Sequence, residues 1–380
     1  MLIKNAFVFG EDKTFTKRDI AFSNGLFADT DTNSCQEQKL DASGLYAIPG
    51  LVDIHFHGCM GHDFCDGTVD AIHQLARYEA SAGVTSICPA TMTISEKTLM
   101  QVMQNAHSYA ETAPASDEAS FVGINMEGPF ISESKKGAQA SEHIRCCDSP
   151  FFEKLQNASG GLIKLVDIAP EENGALTFID QQKEHVTISV AHSAANYNEA
   201  DAAFRHGACH VTHLYNAMSP FSHRNPGIVG AAFDNKHVNV ELICDGIHLH
   251  PSTVRATFQL FTDERIILIS DSMRATGLKD GEYTLGGQDV TVHGKHATLT
   301  ENGTLAGSVT NLMDCMITAV KEMGIPLESA IACATMNPAK AIGIYDHYGS
   351  ISTGKSADLV LFDKDLNIKY IFLRGKQLVP

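Results

Sequence analysis

The sequence is short of basic residues and has no long apolar run. Its 28 Lys and Arg are set against 45 Asp and Glu, so the formal net charge is −17. Such a charge repels phosphate backbones and anionic lipids, which argues against a general nucleic-acid-binding or membrane-surface protein. No window approaches the roughly 18 apolar residues of a membrane span, and the first residues do not read as a signal peptide. We therefore expect a cytoplasmic protein.

The composition is that of a globular protein with a large core. The chain has 380 residues, of which 44% are hydrophobic, and this length suits two or three domains or one large barrel with an appendage. Its ten cysteines are scattered and include no C-x-x-C pair, so reduced, buried thiols are expected rather than disulfides.

Apolar runs alternate with amphipathic helical stretches in the middle of the chain, as in repeated βαβ units. Eight runs are typical of buried parallel strands, the number that closes a (β/α)₈ TIM barrel, although an open doubly wound sheet gives the same periodicity. Helices are predicted near 69–83, 95–112, 150–156, 196–207 and 251–261. The eight predicted strands lie at 50–56, 83–90, 121–127, 162–170, 186–192, 210–215, 238–246 and 265–271.

Both ends of the chain consist of short β-rich runs, for example LIKNAFVFG at the start and ADLVLFD and IKYIFLRG near the end. We expect the two ends to fold together as one small β-domain beside the barrel. The predicted division is 1–50 and 346–380 for this small domain and 51–345 for the barrel.

Residues of the types that bind metals lie at the ends of several predicted strands. The carboxyl ends of barrel strands meet at one mouth, so these side chains are expected to converge there. Histidine and carboxylate ligands with an open position suit Zn²⁺ or Fe²⁺, either of which makes water more acidic and polarises a carbonyl, which favours hydrolysis. The candidate ligands are His55, His57, Glu127, His192, His213 and Asp271.

Each candidate also has a structural interpretation. An H-x-H pair such as His55 and His57 arises by chance in a chain with 18 histidines. Glu127 could be a capping or loop carboxylate, because the Gly128-Pro129 that follows it is expected to end the strand. Asp271, before a serine, could cap a helix, or it could take a proton from water and pass it to a leaving group. Their common position at strand ends favours the functional interpretation.

Nine short motifs, in order, resemble the amidohydrolase superfamily and, within it, the N-acetylglucosamine-6-phosphate deacetylase family. The resemblance implies a metal-dependent (β/α)₈ barrel, a β-sandwich made from both termini, a homodimer, and release of acetate from N-acetyl-D-glucosamine 6-phosphate in amino-sugar catabolism. The motifs are PGLVDIHFHG (49–58), EGPF (127–130), KKGA (135–138), AHS (191–193), THLYNAM (212–218), RNPG (224–227), CDGIH (244–248), SDSM (270–273) and LAGS (305–308).

The resemblance also implies residue roles. Glu127, His192 and His213 would hold a shared metal and Asp271 would be the catalytic acid and base. His55 and His57 would support a second ion, so that one or two divalent ions, Zn²⁺ or Fe²⁺, bind per subunit. Substrate contacts are implied for Ala138, Gln139, Asn216, Ala217, Arg224, His248, Leu305, Ala306 and Gly307.

Arg224 is the expected phosphate ligand, because a planar guanidinium binds phosphate through two parallel hydrogen bonds. It could instead be a surface arginine, and the resemblance leaves open whether it acts within its own subunit or across a dimer interface. Gln139 stands where some relatives have a histidine, and it can hydrogen-bond a sugar or phosphate but cannot carry a positive charge.

Three other functions fit parts of the pattern. Another amidohydrolase, acting on a cyclic amide or as a deaminase, would share the metal ligands. A barrel that lost its chemistry would be a non-catalytic scaffold, and a sugar-phosphate isomerase would share the barrel. Release of acetate separates the deacetylase from all three.

Overall fold

The computed structural model describes residues 1–30 and 39–378 and shows an α/β chain. Within these ranges no helix has both the length and the apolar character needed to cross a bilayer. The α-helices are α1 (Val69–Ser81), α2 (Glu96–Ala110), α3 (Ser149–Ala158), α4 (Ala175–Gln182), α5 (Tyr197–His206), α6 (Gly227–Asp234), α7 (Pro251–Phe261), α8 (Leu312–Lys321), α9 (Leu327–Ala334) and α10 (Met336–Ala341).

The described strands fall into a terminal group, a central group, an inserted group and one short two-stranded pair, Gly58–Cys59 with His62–Asp63. In chain order they are β1 (Leu2–Phe9), β2 (Phe15–Ser23), β3 (Leu26–Ala28), β4 (Lys39–Asp41), β5 (Tyr46–Pro49), β6 (Leu51–Asp53), β7 (Gly58–Cys59), β8 (His62–Asp63), β9 (Val84–Ile87), β10 (Ser120–Phe121), β11 (Ile124–Phe130), β12 (Ile163–Ile168), β13 (Thr187–Val190), β14 (His210–Val211), β15 (Asn239–Ile243), β16 (Ile266–Ile269), β17 (Gly281–Leu285), β18 (Gln288–His293), β19 (His296–Leu299), β20 (Leu359–Phe362), β21 (Ile368–Leu373) and β22 (Lys376–Leu378).

Strands from both ends of the chain share one sheet. Its order is β22-β21-β20-β5-β1-β2-β3, with β4 also paired to β1. The two ends join where β20 runs antiparallel to β5, with Val360 opposite Ile48. Alternating side chains of this sheet, such as Ile3, Val8 and Phe372, are buried in a core cluster of their own. The expectation that the two ends fold together therefore has a direct structural counterpart.

The central strands are parallel and buried on both faces, which explains their continuous apolar sequences. One sheet has the order β11-β12-β13-β14-β15-β16 and another the order β10-β9-β6. A parallel bridge between Ala90 and Asn125 links the two sheets on one side. On the other side, beyond the ends of β16 and β6, the backbone N–H of Asp271 donates to the carbonyl of His55 at 2.9 Å.

All five helices expected from the sequence are present, and their first turns show why they begin where they do. Thr68 caps α1 by accepting from the N–H of Ala71, and Ser95 caps α2 in the same way. Asn196 and Glu199 form a reciprocal capping box at α5. The apolar stripe of each helix is buried against the parallel strands, as Ile72, Leu75 and Ala76 of α1 illustrate.

The structure corrects one expectation and adds one feature. Gly128-Pro129 does not end the third predicted strand, since β11 continues to Phe130. The pairing of β11 with β12 shifts register between Met126 and Phe130, so an irregularity absorbs these residues. The inserted antiparallel sheet, β17-β18-β19, was not expected and packs Leu285 and Val290 into a small core with Met92 and Met273.

Candidate metal centre and active site

Three buried side chains from one parallel sheet, on β11 and after β13 and β14, form the tightest polar cluster. The Oε1 atom of Glu127 lies 3.0 Å from Nε2 of His192 and 3.2 Å from Nε2 of His213, and these two nitrogens are 3.2 Å apart. At these distances, hydrogen bonds among the two imidazole nitrogens and the carboxylate oxygen cannot account for all three close contacts. Around Zn²⁺, tetrahedral bonds of about 2.0–2.1 Å place ligand atoms about 3.3 Å apart. The residues present therefore fit a shared divalent cation.

A second group meets the other oxygen of the same carboxylate. His57 Nε2 lies 3.3 Å from Glu127 Oε2 and 3.3 Å from Asp271 Oδ1. His55 Nε2 lies between the groups, 3.6 Å from Glu127 Oε1 and 3.9 Å from Asp271 Oδ1. Ligand atoms of His55, His57 and Asp271, and of His55, Glu127 and His213, are close enough to hold an ion in each group.

The backbone turns sharply where three of these residues follow their strands. His192, His213 and Asp271 have φ values of +43°, +29° and +48°, in the left-handed region that non-glycine residues rarely adopt. Each such residue costs about 1–3 kcal/mol and persists because its surroundings hold it. Hydrogen bonds do so here, for example from the Ser132 N–H to the His192 carbonyl at 2.9 Å.

The two carboxylates of the cluster are held in their charged form. Burial raises the pKa of Glu127, but hydrogen bonds from His192 and His213 and the positive charge of nearby His57 outweigh burial and hold that pKa well below its usual range. Burial likewise raises the pKa of Asp271, and a hydrogen bond to His57 with the positive charge of nearby imidazoles lowers it overall. Asp271 can therefore accept a proton at neutral pH.

A cavity of about 210 Å³ opens onto the cluster. His57, Glu127, His192, His213 and Asp271 all contribute to its wall, whereas His55 lies fully buried behind them. Of the substrate contacts predicted from the sequence, those that line the cavity are Ala138, Gln139, Asn216, Ala217, His248, Leu305 and Gly307.

Two predicted substrate residues are not brought to the cavity wall. Ala306 is fully buried, with its N–H donating to the Ala297 carbonyl at 3.0 Å. Arg224 lies on an exposed loop, where its guanidinium contacts His223 Nε2 at 2.6 Å. Among the described residues, those that line the cavity include histidines but neither arginine nor lysine. The described wall of this cavity therefore offers no guanidinium or ammonium group to pair with a phosphate.

Gln139 lines the cavity, but the oxygen and the nitrogen of its side-chain amide both have hydrogen-bond partners within the protein. Its Nε2 donates to Glu127 Oε2 at 2.8 Å, and its Oε1 accepts from the Thr93 N–H at 2.6 Å. Only 3% of Gln139 is exposed. The amide therefore holds the Glu127 carboxylate in place, a contact that the sequence did not indicate.

His248 is oriented by a carboxylate on the same loop. Its Nδ1 lies 2.8 Å from Asp245 Oδ2, and its backbone N–H donates to Asp245 Oδ1 at 2.9 Å. Burial disfavours the charged imidazole, but the hydrogen bond and charge of Asp245 outweigh burial and raise the pKa of His248. This leaves Nε2 of His248, at the cavity wall, able to donate to a bound molecule.

Sequence reasoning missed Asp245 and a deeper pair, Glu241 and His210. Glu241 interrupts the apolar run N-V-E-L-I, and His210 precedes V-T-H. A charged residue inside a strand buried on both faces must find a buried partner, and that mismatch is the signal that could have revealed them. The cavity wall also contains Met92, Gly137, Leu285 and Thr304, whose sequence contexts carry no comparable signal.

Comparison with known proteins gives consistent results. Residues 46–378 match the amidohydrolase family. The chain is 36% identical to the N-acetylglucosamine-6-phosphate deacetylase of Bacillus subtilis, with 99% of this chain and 96% of that protein covered. It is 34% identical to an N-acetylgalactosamine-6-phosphate deacetylase of Escherichia coli O157:H7, with 96% of each chain covered.

A solved structure resembles the fold over its full length. This is the N-acetyl-D-glucosamine-6-phosphate deacetylase of Mycobacterium smegmatis, a single-residue variant in complex with N-acetyl-D-glucosamine 6-phosphate. Its TM-score is 0.92 at 29% identity, with 100% of this chain and 99% of that chain covered.

Proposed function

The chain belongs to the amidohydrolase family and, within it, to the N-acetylglucosamine-6-phosphate deacetylases. From this premise we propose that it hydrolyses the acetamide of N-acetyl-D-glucosamine 6-phosphate, releasing acetate and D-glucosamine 6-phosphate in a cytoplasmic step of amino-sugar catabolism. The observation that carries the proposal is the convergence of Glu127, His192 and His213 beside a cavity, in a chain similar to these enzymes over its whole length.

We further propose that the central strands close into a (β/α)₈ barrel. The Ala90–Asn125 bridge and the hydrogen bond from Asp271 to His55 support closure, because they link the two parallel sheets on both sides. Residues 1–50 and 346–380, of which 31–38, 379 and 380 lie outside the described residues, are then assigned to the small β-sandwich domain and residues 51–345 to the barrel. The shared terminal sheet supports this division.

For the metal, we propose Zn²⁺ or Fe²⁺ held by Glu127, His192 and His213. A second ion would be held by His55, His57 and Asp271, with Glu127 shared between the sites. Imidazole and carboxylate ligands suit both metals. When bound, such an ion supplies a Lewis acid that lowers the pKa of water and polarises an amide carbonyl.

The side chains of the cavity supply the proton transfers. Asp271 accepts a proton from the water that attacks the acetamide carbon and delivers it to the sugar nitrogen as the C–N bond breaks. The imidazole of His248, oriented by Asp245, donates a hydrogen bond to the carbonyl oxygen on which negative charge develops. Gln139 keeps the Glu127 carboxylate in position throughout.

For the phosphate, we propose a homodimer in which Arg224 reaches the cavity of the second subunit. The position of Arg224 on an exposed loop, and the absence of Arg and Lys from the described cavity wall, support this arrangement. Co-expression of R224A and D271N chains tests it. A hybrid dimer should recover activity, because one cavity then has its own Asp271 and the Arg224 of the other chain. Hybrids as inactive as either parent would place Arg224 within its own subunit.

The function itself is tested by acetate release from purified protein. We expect turnover of N-acetyl-D-glucosamine 6-phosphate that is lost on chelation and restored by Zn²⁺ or Fe²⁺. N-acetyl-D-galactosamine 6-phosphate, the epimer in the name of one relative, serves as the comparison substrate. If the metal-loaded protein releases no acetate from N-acetyl-D-glucosamine 6-phosphate, the proposal is contradicted.

A further inference from the structure

A fully buried carboxylate lies behind the metal ligands and outside the cavity wall. Glu241 of β15 has no exposed surface. Its Oε2 lies 3.0 Å from His55 Nδ1 and accepts from the backbone N–H of His213 at 3.1 Å, and its Oε1 lies 2.9 Å from His210 Nε2. One carboxylate thus contacts two of the candidate ligand residues without lying among them.

These contacts specify the tautomer of His55. An ionised carboxylate only accepts hydrogen bonds, so His55 must carry its proton on Nδ1 to donate to Glu241. The lone pair then lies on Nε2, the atom that faces Glu127 and Asp271 at 3.6 and 3.9 Å. This is the form of imidazole that binds a metal, and the nitrogen that binds is set by the hydrogen bond of the other.

His210 secures the carboxylate from its far side. It is fully buried, and its Nε2 donates to the Glu241 oxygen that does not contact His55. The backbone of Glu241 also accepts from the Leu214 N–H at 2.9 Å. Because β15 and β6 belong to different sheets, the His210–Glu241–His55 series crosses the interior between them.

We propose that Glu241 is a positioning residue that fixes His55 with Nε2 free for the metal centre, with His210 anchoring the carboxylate. The burial of a charged group in a strand whose other buried residues are apolar is then explained, since three donors satisfy it. The inference rests on the metal centre of the proposed function, and it assigns a role to two residues outside that centre.

The test compares E241Q with D167N in the full-length protein. Asp167 of β12 is equally buried and accepts from Thr212 Oγ1 at 2.8 Å, but its side chain is hydrogen-bonded to none of the candidate ligands. In competition with a chelator, E241Q should bind the equivalent of Zn²⁺ assigned to His55, His57 and Asp271 about 10- to 100-fold more weakly than wild type, the usual effect of losing such a partner. D167N should bind Zn²⁺ within about threefold of wild type.

Two further readouts separate positioning from general stability. The melting temperature of metal-free E241Q should match that of metal-free D167N, whereas the affinities for Zn²⁺ should differ. In zinc-loaded wild type, ¹⁵N NMR of labelled histidines should show His55 protonated at Nδ1, and this measurement needs no variant to fold.

The proposal is overturned if E241Q binds Zn²⁺ as tightly as wild type, if D167N loses as much affinity as E241Q, or if His55 carries its proton on Nε2. These three outcomes depend only on zinc affinity and on the protonation of His55, and not on catalytic activity. Tight zinc binding without acetate release would instead contradict the proposed deacetylase and leave the role of Glu241 intact.

Discussion

Replacing Asp271 with asparagine tests the proposed proton transfer most sharply. Asp271 is 7% exposed, and its Oδ1 lies 3.3 Å from His57 Nε2. Asparagine keeps the shape and one oxygen toward His57, so the fold and the ion assigned to Glu127, His192 and His213 should persist. The amide cannot take a proton from water or return one to the amine. General acid–base catalysis contributes about 10²- to 10⁴-fold, so D271N should lose that much kcat, or about 3–5.5 kcal/mol of transition-state stabilisation.

The assay is acetate release at saturating substrate, with metal content measured on the same sample. D63N is the matched control, because Asp63 is also a fully buried carboxylate but caps a short helix through the Cys65 N–H at 2.8 Å. D63N should keep kcat within about threefold of the wild-type value. A D271N enzyme that keeps the ion assigned to Glu127, His192 and His213 and has kcat within tenfold of wild type would refute the role of Asp271.

Three further changes test the substrate contact, the support of Glu127 and the core. R224A should raise KM far more for the 6-phosphate sugar than for free N-acetylglucosamine, and equal effects on both would show that Arg224 does not bind phosphate. Q139M removes the donor to Glu127 and leaves the Thr93 N–H unpaired, so unfolding free energy should fall by about 1–3 kcal/mol; unchanged denaturant stability would contradict this. F204A, in the buried face of α5, should cost about 3–5 kcal/mol in denaturant unfolding, whereas F221A at 51% exposure should cost under about 0.5, and similar losses would contradict the packing.

The convergence of the ligands could be predicted because it follows from regular structure. His192, His213 and Asp271 each follow a predicted buried strand, and parallel strands bring their carboxyl ends together. Their distances could not be predicted, since these depend on left-handed backbone turns at all three residues. Nothing in the local sequence requires that conformation at a histidine or an aspartate.

The predictions were weakest where loops decide the structure. Arg224 lies on a loop whose direction no hydrophobic period determines, and the structure places it away from the cavity of its own chain. Gln139 was assigned to the substrate by its neighbours in sequence, yet its amide is committed to Glu127 and Thr93. Both assignments concern where a side chain points, which motif order does not specify.

Two structural features had sequence signals that were not used. Glu241 is a charge within an apolar strand, which by itself requires a buried partner. The pair Gly286-Gly287, between alternating runs, is a typical hairpin signal, and it joins β17 to β18 in the unexpected antiparallel sheet. Burial of apolar side chains thus explains most of the fold. Polar side chains that are buried among them indicate where the functional site lies.

The central claim is that Glu127, His192 and His213 share one cation. Anomalous X-ray diffraction from crystals of the active protein grown with Zn²⁺ tests it directly. We expect a zinc peak about 2.0–2.2 Å from Glu127 Oε1, His192 Nε2 and His213 Nε2. Zinc bound only away from these three atoms, in protein that releases acetate, would contradict the account.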